Sequence, residues 1–342
     1  MISFLRTDIS IFGRQKPKKL SILGQRKVIQ LFNNLFASGF HLSEIVDFLK
    51  RSHLLADSYI TVLRQGLMAG KPFSALLSDL AFSDAVVTQI SLAEIHGNTA
   101  LSLRHIEDYL TKMAQVRKKL IEVATYPVIL LGFLMVIMLG LKNYLLPQLE
   151  EGNVATSLVN HFPQIFLGAL FFLACIVLIS LIWMQQTSKV TVARVLSRMP
   201  FLGTYVKIYL TAYYAREWGN LIGQGLELGQ IVDIMQEQKS ALFQEIGRDL
   251  AQSFINGQSF CDQILTYPFF RRELSLIIEY GQAKSKLGAE LSLYADECWE
   301  EFFTKVNRAM QLIQPLIFLF VALMIVLIYA AMLLPIYQNM EI

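Results

Sequence analysis

Three stretches of this chain contain no Asp, Glu, Lys or Arg: 123–141, 152–188 and 309–340. A helix that crosses a bilayer needs about 20 mostly apolar residues, so each stretch is long enough to span one. Composition agrees, with 54% of the 342 residues apolar and 17% charged, against about a quarter charged in a soluble domain. The pattern predicts an integral membrane protein and excludes a soluble enzyme, a secreted disulfide scaffold and a disordered tail. Three spans use about 60 residues, which leaves most of the chain for polar regions.

Basic residues set the expected orientation. Residues 1–125 carry 16 Lys/Arg against 10 Asp/Glu, net +6, with Arg117, Lys118 and Lys119 close to the first span. The segment from Pro147 to Pro163 holds Glu150 and Glu151 and no cation, and the tail after Pro335 holds only Glu341. Lys189, Arg194 and Arg198 follow the second span, and Lys305 and Arg308 precede the third. Cations accumulate on the cytoplasmic side of a membrane protein. The N-terminus is therefore expected inside and the C-terminus outside, in a multi-pass plasma-membrane protein whose bulk is cytoplasmic. Arg6, Arg14, Lys16, Lys18 and Lys19 precede any long apolar run, a pattern unlike a signal peptide.

An internal repeat sets the architecture. Phe32–Leu49 and Trp218–Met235 are identical at seven of 18 positions, at an offset of 186. The matches are Asn34/Asn220, Leu35/Leu221, Gly39/Gly225, Leu42/Leu228, Ile45/Ile231, Val46/Val232 and Asp47/Asp233. Gly70–Phe73 then answers Gly257–Phe260, Pro127 answers Pro315, and Leu146-Pro147 answers Leu334-Pro335. The apolar positions recur at helical spacing, broken near Gly39 and Gly225 by a turn. The reading is an all-α membrane protein with two homologous helical-bundle domains and three transmembrane helices. Its parts are a basic tail (1–20), a cytoplasmic domain (21–125), a span (126–147), an external loop (148–163), a span (164–184), a second cytoplasmic domain (185–313), a span (314–336) and an external tail (337–342). Pro127 and Pro315 are expected where spans begin, Pro147 and Pro335 where they end, terminating helices or setting the angle between domain and span.

No catalytic, cofactor-binding or metal-ligating set is expected. Gly66–Lys71 resembles a phosphate loop, but its spacing is one residue short and Pro72 stands where Ser or Thr is required, so it reads as a turn between helices. His41, His53, His96, His105 and His161 show no metal-ligand spacing. Cys175, Cys261 and Cys298 read as small buried hydrophobes. Asp47 and Asp233 read as helix-surface or capping residues. No acid lies mid-span, and Lys142 can reach the interface, which argues against a transporter. The cations at 14–19 and 117–119 suit anionic lipid headgroups better than nucleic acid, so no direct nucleic-acid binding is expected. The tail reads equally as a solubilising segment.

The ordered set of domain, span, crossing span, second domain and last span resembles the type II secretion F / type IV pilus inner-membrane platform family (GspF/PilC-like). Its recurring elements are a G-E-x-x-G-x-L motif and a span closed by Leu-Pro. The first copy of the motif keeps Glu94 and Gly97; the second keeps Gly281 and Leu287 and has Gln282 in place of the Glu. The closures Leu146-Pro147 and Leu334-Pro335 match fully. Within the family the chain is most similar to the short ComGB-like proteins of competence systems. The resemblance implies a non-enzymatic, homo-oligomeric platform without cofactors. It would engage a hexameric assembly ATPase on the cytoplasmic side and major and minor pseudopilins in the membrane, in a filament system serving DNA uptake. A type II protein secretion platform is the alternative, and after it a permease subunit.

Overall fold

The computed structural model describes residues 20–52, 55–140, 143, 154–283 and 285–338, and among the described residues the regular structure is α-helical. The first set of helices is α1 (Ile22–Ala37), α2 (Leu42–Ser52), α3 (Asp57–Met68), α4 (Phe73–Asp79), α5 (Asp84–His96) and the long α6 (Thr99–Gly140). Next come α7 (Val154–Gln186) and the short α8 (Lys189–Arg198). The second set is α9 (Leu202–Gly223), α10 (Leu228–Glu237), α11 (Ala241–Ile255), α12 (Phe260–Leu265), α13 (Arg272–Ala283) and α14 (Leu287–Gln338). Six helices thus recur in the same order, α1–α6 and α9–α14, as the repeat requires.

The repeated turn has the same geometry in both copies. Gly39 and Gly225 take φ of 86° and 88°, a left-handed conformation that costs other residues a Cβ clash. Beyond each glycine the chain reaches back, with Phe40 N–H donating to Leu35 O at 3.0 Å and Leu226 N–H to Leu221 O at 3.3 Å. These bonds satisfy carbonyls that a helix end leaves unpaired. The next helix of each copy buries the same three positions, Ile45, Val46 and Leu49 in α2 and Ile231, Val232 and Met235 in α10. Asp47 and Asp233 occupy the exposed face of those helices.

The chain divides into two compact units, one of residues up to Ala114 with Glu237–Ser240 and one of Gln115–Gln236 with Ala241–Ile342. In the first, Ile29, Phe32, Ile45, Leu63, Leu76 and Leu103 are wholly buried. In the second, α14 runs along α9, with Tyr214, Trp218, Phe243 and Phe270 forming an aromatic core. One contact recurs between copies: Phe32 meets Phe73 with ring centroids 4.8 Å apart, and Trp218 meets Phe260 at 5.0 Å. Burying such a ring contributes about 1.5–3 kcal/mol.

The helices α6, α7 and α14 are long and apolar enough to cross a membrane. Their apolar side chains face outward, as Val128 (68% exposed), Phe171 (72%) and Val326 (66%) show, an arrangement stable where the surrounding solvent is lipid. Several boundaries differ from the sequence reading. Pro127 is buried inside α6 and Pro315 lies exposed inside α14, so the limits drawn at 125/126 and 313/314 fall within continuous helices. Pro335 does not end α14, which continues to Gln338. Proline removes one helical donor and crowds the carbonyl four residues back, yet apolar helices tolerate it through local adjustment and neighbouring groups. The segment 148–163 is not loop throughout, because α7 begins at Val154. The basic residues of 1–19, Lys142 and Pro147 fall outside the described residues.

Candidate functional site

Glu94 sits in the last turn of α5 and reaches back 21 residues to the start of α4. Its carboxylate accepts from Phe73 N–H at 2.5 Å, from Ser74 N–H at 3.2 Å and from Ser74 Oγ at 2.5 Å. The first N–H groups of a helix lack internal partners and attract negative charge. Pro72 occupies the N-cap and supplies no side-chain acceptor, so Glu94 performs the capping from a different helix. In the second copy the equivalent N-cap is Ser259, whose Oγ accepts from Asp262 N–H at 3.1 Å. With a cap already in place the carboxylate has no task there, and Gln282 is exposed.

The other motif positions shape the connection that follows. Gly97 ends α5 in the left-handed conformation at φ 78°, with its N–H donating to Ala93 O at 2.9 Å. Its repeat partner Ser285 also has positive φ, 51°. A Cβ on Gly281 would lie 2.8 Å from Leu287 Cα, so the chain folds back onto α13 only because that position has no side chain. Leu287 is buried at the first turn of α14. Glu94 and Gly97 therefore order the α4–α5–α6 corner, Gly281 and Leu287 order the α13–α14 corner, and Pro127, Pro315 and Pro335 lie farther along α6 and α14.

The second unit carries an ionic cluster that sequence reading missed, since Arg271 lies 30 residues before its partner Glu301. Arg271 meets Glu301 at 2.7 Å, and Lys305 meets the same carboxylate at 3.2 Å. The Arg271 hydrogen bond holds Glu301 below the usual carboxylate range. Burial lowers the Arg271 pKa, but the bond to Glu301 outweighs it and the guanidinium is held more firmly charged. Beside this cluster a pocket of 280 Å³ is lined by Lys207, Thr266, Tyr267, Pro268, Arg271 and Arg272. Of the three cations at its wall, Arg271 is already engaged by Glu301.

The remaining candidates are structural. Gly66–Lys71 lies at the end of α3 and the turn before α4, where Lys71 pairs with Asp79 at 2.7 Å. Cys298 is buried, Cys175 and Cys261 are half-buried, and all three are free thiols. Among the described residues no group of three or more His, Cys, Asp or Glu is placed to hold a metal ion.

The sequence pattern of the family described as "Type II secretion system (T2SS), protein F" matches twice, over residues 28–147 and 214–335. The chain is 26% identical over 323 residues to a ComG operon protein 2 homolog of Halalkalibacterium halodurans, covering 89% of this chain and 98% of the relative. It is 25% identical over 316 residues to ComG operon protein 2 of Bacillus subtilis, covering 89% and 96%. It is 24% identical over 294 residues to the type IV pilus assembly protein PilC of Thermus thermophilus, covering 81% and 72%. None of these names describes an enzyme. With two matched modules, each running into an apolar helix of membrane-spanning length, the chain belongs to the type II secretion system protein F family and is a membrane platform protein of the secretion and type IV pilus kind.

Proposed function

We propose that the chain is the platform of a type IV pilus-like filament system of the competence kind, coupling a hexameric cytoplasmic ATPase to pseudopilin subunits in the membrane. The carrying observation is the match to two ComG relatives over 98% and 96% of their lengths, at 26% and 25% identity. The helical regions 21–125 and 185–313 are cytoplasmic in this reading, the C-terminus is external, and the platform works as a homo-oligomer. The charge asymmetry supports distinct partners for the two domains. Residues 1–125 are net +6, whereas residues 185–314 hold 13 Lys/Arg against 14 Asp/Glu. Charge steers encounter and partner choice more than fold does, so the basic first domain meets an acidic face of the ATPase while the second handles self-association or subunits. Anionic headgroups hold the basic tail, and Glu94, Gly97, Gly281, Leu287 and the span prolines serve as scaffold rather than as chemistry.

Deletion of the gene in its own cell, with complementation, tests this reading. The expected result is loss of both surface filaments and uptake of added DNA, with protein export unchanged. Loss of export with filaments and uptake intact would favour a type II protein secretion platform, the second reading that the family's own description supports. Crosslinking of the full-length protein to the ATPase should weaken as salt rises, because exposed charge pairs are screened.

A further inference from the structure

The turn between α8 and α9 is strained and apolar. Phe201 has φ 66° and ψ −55°, and Leu202 N–H donates to Pro200 O across it at 2.8 Å. This is a γ-turn of the positive-φ kind, rare for any residue and an outlier for a bulky one. The cause is close packing: a Cβ on Gly203 would lie 2.4 Å from Ser197 O, so the end of α8 presses on the first turn of α9. The result is a fixed apex with Phe201 91% exposed, flanked by Leu202 at 56% and Met199 at 42%.

The height of that apex follows from the pairing of α9 with α14. Tyr205 Oη donates to Lys305 O at 3.4 Å, Arg216 meets Asp296 at 2.5 Å, and a Cβ on Gly288 would touch Gly223 N. As the residue number rises on one helix it falls on the other, so the two are antiparallel and in steady register. Phe201 precedes Tyr205 by four residues and comes level with the residue four beyond Lys305. That residue is Ala309, the first of the charge-free run 309–340. The other end of α8 is also at span level, because α7 ends at Gln186 and α8 begins at Lys189. A helix with both ends at the edge of the membrane lies along its surface. Arg194 and Arg198 are exposed on α8, suited to anionic headgroups, while an aromatic residue at the interface is favoured there.

We infer that α8 and the Met199–Leu202 turn form an interfacial membrane anchor, with Phe201 seated among the lipid headgroups beside the second and third spans. The inference rests on the membrane reading of α7 and α14. It gives the exposed ring and the strained turn a common purpose: a rigid wedge that fixes the second domain against the bilayer.

The test uses the full chain in nanodiscs of phosphatidylcholine and phosphatidylglycerol, one chain per disc. Cys175→Ala and Cys261→Ala remove the accessible thiols and buried Cys298 is retained. A polarity-sensitive fluorophore is placed by Phe201→Cys, by Leu323→Cys in the third span, or by Ile255→Cys at the exposed end of α11. Far-UV circular dichroism and gel filtration check each fold. The label at 201 should be quenched about twofold by a nitroxide lipid carrying its spin near the headgroup and be shielded from aqueous iodide relative to 255. Iodide access at 201 equal to that at 255, or shielding without lipid quenching, overturns the anchor; the second outcome would mean a protein surface covers the turn. A label at 323 that no deep nitroxide lipid quenches overturns the membrane reading and the anchor with it.

Discussion

Gly223 and Gly288 bring α9 and α14 into backbone contact: a Cβ on Gly288 would lie 2.5 Å from Gly223 N and 2.6 Å from Gly223 Cα. One turn on, a Cβ on Gly219 would meet Ser292 N at 2.9 Å. The contact is one-sided, since a Cβ on Gly223 would meet nothing within 4 Å. Gly288→Ala should therefore part the helices and destabilise the protein by about 1–3 kcal/mol, as overpacking does. Gly223→Ala should be neutral or stabilising by up to about 1 kcal/mol, because Ala suits a helix better than Gly. Thermal unfolding in detergent distinguishes the pair; equal losses would mean that helix-end effects, not the close approach, govern both.

The Glu94 cap predicts a specific rescue. Glu94→Gln removes the charge from three hydrogen bonds to the start of α4 and should lower stability by about 1–3 kcal/mol. Pro72→Ser installs the cap that Ser259 supplies in the second copy, and should recover about 0.5–1 kcal/mol in that background. Gln282→Ala, at an exposed position, should change stability by less than about 0.5 kcal/mol. Denaturant midpoints compared across the four proteins decide it, and absence of rescue would assign Glu94 a role other than capping.

Cys261 should alkylate slowly. Burial raises its thiol pKa first, and the Glu279 and Asp262 carboxylates raise it further, while its S–H donates to Ser275 O at 3.3 Å. The pH midpoint of iodoacetamide labelling should lie above the ordinary thiol value of about 8.5, and Asp262→Asn should move it down. With a raised folded-state pKa, the stability tied to this proton is full below the ordinary thiol value. It is lost as pH rises through the folded one. A midpoint at or below the ordinary value would contradict the environment described.

The proposed orientation predicts the activity of reporter fusions. A reporter active only outside the cytoplasm should work when joined at Gly152 or after Ile342 and be silent at Gln238, following the cation asymmetry. The opposite pattern would invert the topology and place both helical domains outside.

Local chemistry was enough to read several features from the chain alone. Charge-free length marked α6, α7 and α14, apolar spacing marked the helices, and the repeated Gly39 and Gly225 marked the turns, because each depends on residues within a few positions. The tertiary structure decided the rest. Pro127 and Pro315 looked like helix boundaries by the rule for water, but α6 and α14 pass through them. Glu94 looked like half of a motif until α4 came within reach and Pro72 left a cap to be filled. The contact of Gly223 with Gly288 and the height of Phe201 are properties of two helices at once. Periodicity reports that a face is buried and never against what. Pairing and register are settled only when separate segments meet in space.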